Sequence, residues 1–241
     1  MRYAIIAAGE GSRLAHEGVR EPKPLVKING ECLIDRLIRV FMNNSAEDIV
    51  VICNEFMTDV KAHLEDIKHN GLNGVSVPLT IVVKTTPSSM HSFYEISRYI
   101  RGGAFCLTTV DTIFKESEFT DFIHAFEEDV RQNKEDGMMV VTDYIDDEKP
   151  LYVDVNEQGL ITGFLDTQAS CHYVSGGIYG LTQRSIKVLD ECIARGESRM
   201  RNFQRGLIKA GCKLVARPFS KVFDIDHASD IEKAEKFVTE Q

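Results

Sequence analysis

The chain has 241 residues, enough for one large α/β unit or two small ones with a sizeable buried core. Its 43% apolar and 27% charged residues are those of an ordinary soluble globular protein, and a net charge of −9 argues against a broad phosphate-tracking surface for nucleic acid. No run approaches ~18 consecutive apolar residues and no charged-then-apolar leader opens the sequence, so a cytoplasmic protein without membrane spans is expected. Six cysteines are dispersed with no CxxC pair, the pattern of reduced cytosolic thiols rather than of disulfides or zinc ligands.

Strand-like and helical runs alternate through the first half, which predicts a mostly parallel sheet covered by helices. "RYAIIAA" (2–8) is the first strand. In "LIDRLIRVFMNN" (33–44), Leu33, Ile34, Leu37, Ile38 and Phe41 share a helical face. "DIVVICN" (48–54) and "FMTDVKAHLEDIKH" (56–69) repeat the strand–helix unit, as do "LTIVVKT" (79–85) and "SSMHSFYEISRYI" (88–100). "AFCLTTVD" (104–111) is a fourth strand ending in an aspartate, and "FTDFIHAFEEDVRQ" (119–132) is its helix.

Shorter strands follow in "GMMVVTDY", "LYVDVNEQGLITGFL" and "CHYVSGGIYGL", the middle one folded at "NEQG" into a hairpin. "RSIKVLDECIARG" and "MRNFQRGLIKAG" are helices stopped by glycine. After the strand "CKLVARPFS", a closing helix is expected with Ser229 as N-cap and Glu232 at N3. No internal repeat or linker interrupts the chain, and one domain is expected.

The stretch "IIAAGEGSRL" (5–14) ends the first strand on two glycines. It lacks the third glycine of a dinucleotide fingerprint, because Leu14 stands there, and it lacks both the spacing and the lysine of a P-loop. Two readings remain for such a turn: bare backbone amides that cradle phosphate, or a tight turn and nothing more. Taken with the following "PKPLVKINGECLIDRLI", the stretch resembles the nucleotidyltransferase signature G-x-G-x-R followed by K-P-L and a helix. That family includes nucleoside-diphosphate-sugar pyrophosphorylases and molybdopterin-guanylyltransferases. "TTVDTIF", "VSGGIYGL" and "FDIDHASDIEKAE" resemble later blocks of the same family in the expected order.

The resemblance implies an α/β, Rossmann-like fold of the nucleotide-diphospho-sugar transferase (GT-A) type. Residues 1–115 would handle the nucleotide and 116–241 the acceptor. It implies transfer of a nucleoside monophosphate from an NTP to a phosphorylated small molecule, with Mg²⁺ as cofactor and pyrophosphate as product. The attacking oxygen already belongs to an ionised phosphate, so aligning and neutralising two anions is the main task and no general base is required. On this resemblance Ala8, Gly9, Gly11, Ser12 and Arg13 meet the nucleotide. Arg13 and Lys23 are the catalytic cations, Arg13 toward the departing pyrophosphate and Lys23 near the α-phosphate and the acceptor phosphate.

Asp111 closes a strand at the edge where open α/β sheets collect ligands, and a carboxylate there suits Mg²⁺. Asp226 is the second metal ligand expected; Asp224 is its alternative, on the same face of the strand, with Ile225 opposite. Ser88 and Ser89 begin a helix and either meet the base or ribose or merely cap the helix. Gly176 and Gly177, inside a strand pattern, mark either the acceptor site or close sheet packing. His91 is expected to be an ordinary helix residue.

One departure from the family pattern bears on the acceptor. Sugar-phosphate members carry a Glu-Lys pair after the hairpin, whereas Leu165 and Asp166 stand here. An ordinary hexose 1-phosphate is therefore in question. A GT-A glycosyltransferase and a non-catalytic nucleotide-binding domain are the competing readings. "VDTIF" lacks the D-x-D of the first, and Gly9, Gly11, Arg13, Lys23 and Asp111 together count against the second.

Overall fold

A computed structural model describes residues 1–240. The first half runs β1 (Arg2–Ala7), α1 (Ser12–His16), a 3-10 turn (Lys23–Leu25), β2 (Lys27–Ile28), β3 (Glu31–Cys32) and α2 (Leu33–Asn43). It continues with β4 (Asp48–Cys53), α3 (Thr58–Asn70), β5 (Leu79–Val83), α4 (Ser89–Ser97), β6 (Phe105–Thr109) and β7 (Thr112–Phe114). The second half contains α5 (Glu116–Gln132), β8 (Gly137–Thr142), β9 (Tyr152–Val155), β10 (Ile161–Leu165) and β11 (Tyr173–Leu181). α6 (Gln183–Ala194), α7 (Met200–Lys209), β12 (Leu214–Pro218), β13 (Val222–Asp224) and α8 (Ala228–Thr239) complete it.

The main sheet follows the order β10-β9-β11-β6-β1-β4-β5, with β8 also paired to β11 and β12 paired to β8. Strands β6, β1, β4 and β5 are parallel, as strand–helix alternation requires. β11 runs antiparallel to β6, β8 and β9. The result is a mixed α/β sheet flanked by helices.

Alternation along each strand sends side chains to two cores. Tyr3, Ile5, Ile49 and Val51 face the layer made by α2, α3, α5 and α8. Ala4, Ile6, Val50 and Ile52 face α4, α6 and α7. This two-sided burial explains why the central strands read as continuous apolar runs. The expected hairpin joins β9 and β10, and the Asn156 carboxamide oxygen accepts the N–H groups of Gln158 and Leu160, both at 3.0 Å.

Of the two short ribbons, β2 with β3 and β7 with β13, only the aspartate strand β13 is among the predicted elements. Strands of two or three residues are too short to show an alternation in sequence. The start of α8 also differs from expectation. His227 is the N-cap and Asp230 sits at N3, where its carboxylate accepts the backbone N–H groups of Asp226 (3.0 Å) and His227 (2.8 Å). Glu17 accepts the N–H of Ala228 at 2.7 Å, so a distant residue caps the helix and Ser229 is not needed for it.

Arg39 of α2 ties the β3 edge to α5. Its guanidinium holds Glu31 through Nε and Nη2 (2.7 and 2.8 Å) and Glu116 through Nη1 and Nη2 (both 2.9 Å). Arg39→Ala is expected to cost about 2 kcal/mol at neutral pH in thermal or denaturant unfolding, given two charge-assisted forks on half-buried groups. Burial would raise Glu116, but Arg39 and Arg36 outweigh it and hold its carboxyl below the usual range. A carboxyl depressed on folding stabilises above its unfolded pKa of about 4.3 and loses that contribution as pH falls through the depressed value. The gap between wild type and Arg39→Ala should therefore close in acid; a gap unchanged at low pH would refute this account.

Candidate functional site

The glycine turn leads from β1 into α1. Gly11 caps α1 with φ +62°, a left-handed conformation that favours glycine. A Cβ placed on Gly11 would stand 3.3 Å from the Cβ of Lys23. Gly11 is thus fixed twice, by its backbone and by the lysine that crosses it. Gly9, in contrast, has open space where a side chain would go. Gly11→Ala is expected to cost about 1–2 kcal/mol from the left-handed backbone and to displace Lys23. Thermal unfolding together with turnover measures both effects; an unchanged melting temperature would sink the first.

Lys23 enters the site from the 3-10 turn, with Pro22 and Pro24 fixing the backbone on either side. Its Nζ donates to Asp111 Oδ2 at 2.7 Å and to Asp226 Oδ1 at 2.9 Å. Arg13 Nη1 lies 3.1 Å from the other oxygen of Asp226. Burial alone would weaken the charge on Lys23, yet Asp111 and Asp226 prevail and hold its pKa above the usual lysine value. The ammonium is therefore permanently charged and held nearly still.

Asp111 and Asp226 meet because β7 pairs antiparallel with β13. The register sets Asp224 opposite Thr112, and the N–H of Ile225 donates to the carbonyl of Asp111 at 3.1 Å. Alternation then buries Ile225 and turns Asp224 and Asp226 to the other side. Asp224 opens onto the cleft, but loss of hydration and the neighbouring Asp111 and Asp226 push its carboxyl up to about 8. Lys23 and the half-exposed Arg13 already match Asp111 and Asp226, and the third acid, Asp224, stays largely protonated at neutral pH. A divalent cation would supply the charge that lets Asp224 ionise, and hard oxygen donors suit Mg²⁺, which takes one or two carboxylates with phosphate and water.

A cleft of about 390 Å³ lies between this cluster and the start of α4. Ala8, Gly9, Gly11, Ser88, Ser89, Lys23 and Asp111 all line it. Ser12, the first residue of α1, is not among its lining residues. Ser88 is the N-cap of α4, but its hydroxyl does not cap the helix backbone. It bonds His91 Nδ1 at 2.9 Å and accepts the N–H of Arg199 at 3.2 Å. His91 is thus the partner that orients Ser88.

Sequence reasoning missed Asn54, Thr85 and Thr86, which line the same cleft. Asn54 Oδ1 accepts the Thr85 hydroxyl at 3.0 Å. All three lie just beyond the carboxyl ends of β4 and β5, and the rule that singled out Asp111 would have found them.

A second cleft, of about 290 Å³, opens on the other side of Asp226. Arg13, Tyr144, Ser175, Gly176, Asp224 and Asp226 are among its walls. A Cβ on Gly176 would meet Val140 Cγ1 at 2.8 Å, so the sheet demands this glycine while its backbone faces the cleft. Gly177 has φ +71° where the β11 register shifts against β8, and a Cβ there would lie 3.4 Å from Thr112 Oγ1. Gly177 does not line the cleft. Asp166, at the end of β10, is gripped by Arg201 and Arg205 of α7, each at 2.8 Å.

The family described as nucleotidyl transferase matches residues 3–241 of this chain. The glucose-1-phosphate cytidylyltransferase of Salmonella typhimurium is 26% identical over 74 residues, which are 28% of this chain and 29% of that protein. A bifunctional IPC transferase and DIPP synthase of Thermococcus kodakarensis is 28% identical over 158 residues, 65% of this chain and 30% of that protein. The chain thus spans less than a third of the length of these two curated relatives. Among solved structures, the inositol-1-phosphate CTP transferase of T. maritima superposes with a TM-score of 0.79 at 21% identity, covering 100% of this chain and 97% of that one. A glucose-1-phosphate thymidylyltransferase from Bacillus anthracis, itself described as putative, gives 0.82 at 20% identity, covering 100% and 96%. These likenesses show the fold.

Proposed function

Because the chain belongs to the nucleotidyl transferase family, we propose that it moves a nucleoside monophosphate from an NTP onto a phosphorylated small molecule and releases pyrophosphate. The observation that carries this reading is the single ammonium of Lys23 shared by Asp111 and Asp226, directly beside the glycine turn of residues 9–11. It supports a site that gathers anions and a cation at one end of the parallel strands.

In this reading one domain does the work, residues 1–115 holding the nucleotide and 116–241 the acceptor. Ala8, Gly9, Gly11 and Ser12 bring backbone close to the triphosphate, and Ser88 and Ser89 border the base or ribose. Gly176 and Gly177 shape the acceptor side. The Arg13 guanidinium holds the departing pyrophosphate, and Lys23 sets fixed positive charge against the α-phosphate as the acceptor phosphate approaches in line. The acceptor oxygen is already ionised, so no residue need take a proton from it. Asp111 and Asp226 would hold Mg²⁺, which when bound neutralises phosphate charge as a Lewis acid.

The acceptor is a sugar 1-phosphate or an alcohol phosphate. Asp166, gripped by Arg201 and Arg205, takes the place of the lysine of sugar-phosphate relatives, so acceptor specificity differs from theirs. The six cysteines are all free and buried, in keeping with a reducing cytoplasm. Among the described residues no helix is long and apolar enough to cross a membrane.

The test is pyrophosphate release from each NTP with Mg²⁺ and a panel of acceptors that includes sugar 1-phosphates, inositol phosphate and choline phosphate. Turnover on one pair establishes the reading. Consumption of a nucleotide sugar without pyrophosphate would replace it with glycosyl transfer, and tight nucleotide binding without turnover on any acceptor would replace it with a binding domain.

A further inference from the structure

Cys32, Asp35 and His63 form a second cluster of ligand-type side chains, on elements that supply no carboxylate to the site above. The sulfur, a carboxylate oxygen and a ring nitrogen all lie within 4.8 Å of one another. Cys32 is the N-cap of α2 and Asp35 its third residue, so one helical turn places both on the same side. His63 comes from the middle of α3, and its Nε2 is 2.6 Å from Asp35 Oδ1. Cys32 is buried, whereas the Asp35 and His63 side chains are 17% and 31% exposed.

We propose that Cys32, Asp35 and His63 bind a zinc ion that clamps the start of α2 to α3. The donor set argues for the metal. A sulfur, an imidazole and a carboxylate suit Zn²⁺ and are poor partners for Mg²⁺, which wants oxygen alone. Zinc holds such atoms at roughly 2.0–2.3 Å, so three ligands must stand within about 4 Å of each other, close to the spacing already present. Charge argues likewise: a thiolate and a carboxylate neutralise a divalent ion, which matters for a buried sulfur. A water would complete the four ligands that zinc prefers.

Without metal, Asp35 serves both neighbours. Its hydrogen bond raises the pKa of His63 against the effect of burial. Burial, and then Asp35, push the Cys32 thiol up, against the nearby Lys27. The chain would then carry two metal positions told apart by chemistry, an all-oxygen one beside Lys23 and a sulfur-containing one between α2 and α3.

The experiment is titration of metal-free, full-length protein with Zn²⁺ in excess Mg²⁺, followed by melting temperature, with Co²⁺ as a spectroscopic stand-in. One Zn²⁺ per chain, a raised melting temperature and a thiolate-to-cobalt charge-transfer band are expected. Cys32→Ser should abolish the band. His63→Gln, at a half-exposed position, should weaken zinc by more than the roughly 10–100-fold typical of losing an outer partner. No zinc uptake by the wild type, or uptake unchanged in both variants, would overturn the proposal. Neither result bears on nucleotidyl transfer, which is read separately by pyrophosphate release.

Discussion

Lys23→Ala should lower turnover by about 10²–10³-fold, the usual cost of removing one preorganised charge donor from a transition state. The rate of pyrophosphate release at saturating substrates measures it. The side chain is nearly buried and holds two carboxylates at once, so its loss leaves Asp111 beside Asp226 with only the half-exposed Arg13 to offset them. The metal-free variant should therefore be less stable by about 1–3 kcal/mol, the penalty for leaving charged partners unmatched. Added Mg²⁺ should recover much of that stability while leaving turnover low. Lys23→Arg should not restore the rate, because a planar fork cannot place one point charge between two carboxylates. A variant with wild-type turnover would remove the central cation from the mechanism.

For Asp111→Asn we expect a loss of activity at least as large, about 10³-fold, corresponding to some 4 kcal/mol of transition-state charge stabilisation. Its effect on stability should have the opposite sign to that of Lys23→Ala. Removing the Asp111 charge relieves its repulsion with Asp226 and eases the ionisation of Asp224, and Lys23 keeps its bond to Asp226. The metal-free variant should melt no lower than wild type, and the apparent Mg²⁺ requirement for turnover should rise. The pair of variants thus separates a charge that holds the fold from one that serves the reaction. A variant of Asp111 that melts lower yet turns over normally would reverse the assignment.

Much of this molecule was legible in one dimension. The parallel strands are buried on both faces and so appear as unbroken apolar runs, while the helices show one apolar stripe each. Gly11 and Lys23 were picked out together by the resemblance of "GEGSR" and "KPL" to the family signature, since the glycine turn alone fitted a phosphate cradle and a plain turn equally well. Asp111 was found from its place at a strand's carboxyl end, and Asn54, Thr85 and Thr86 could have been found in the same way.

The rest depends on contacts between residues far apart in the chain. Two or three residues of β7 and β13 carry no pattern of their own, and only their pairing brings Asp226 onto the ammonium that already holds Asp111. Glu17 caps α8 from more than two hundred residues away, which shifted the helix start to His227. Ser88 was visible as a helix-start serine, but what holds its hydroxyl, His91 on one side and the Arg199 amide on the other, was not. The sequence by itself determined the strands, the helices and the glycine turn that follows the first strand, because those follow from periodicity and local backbone chemistry. Only the tertiary structure decided which charges share a site, because Coulomb energy depends on distances that no spacing along the chain records.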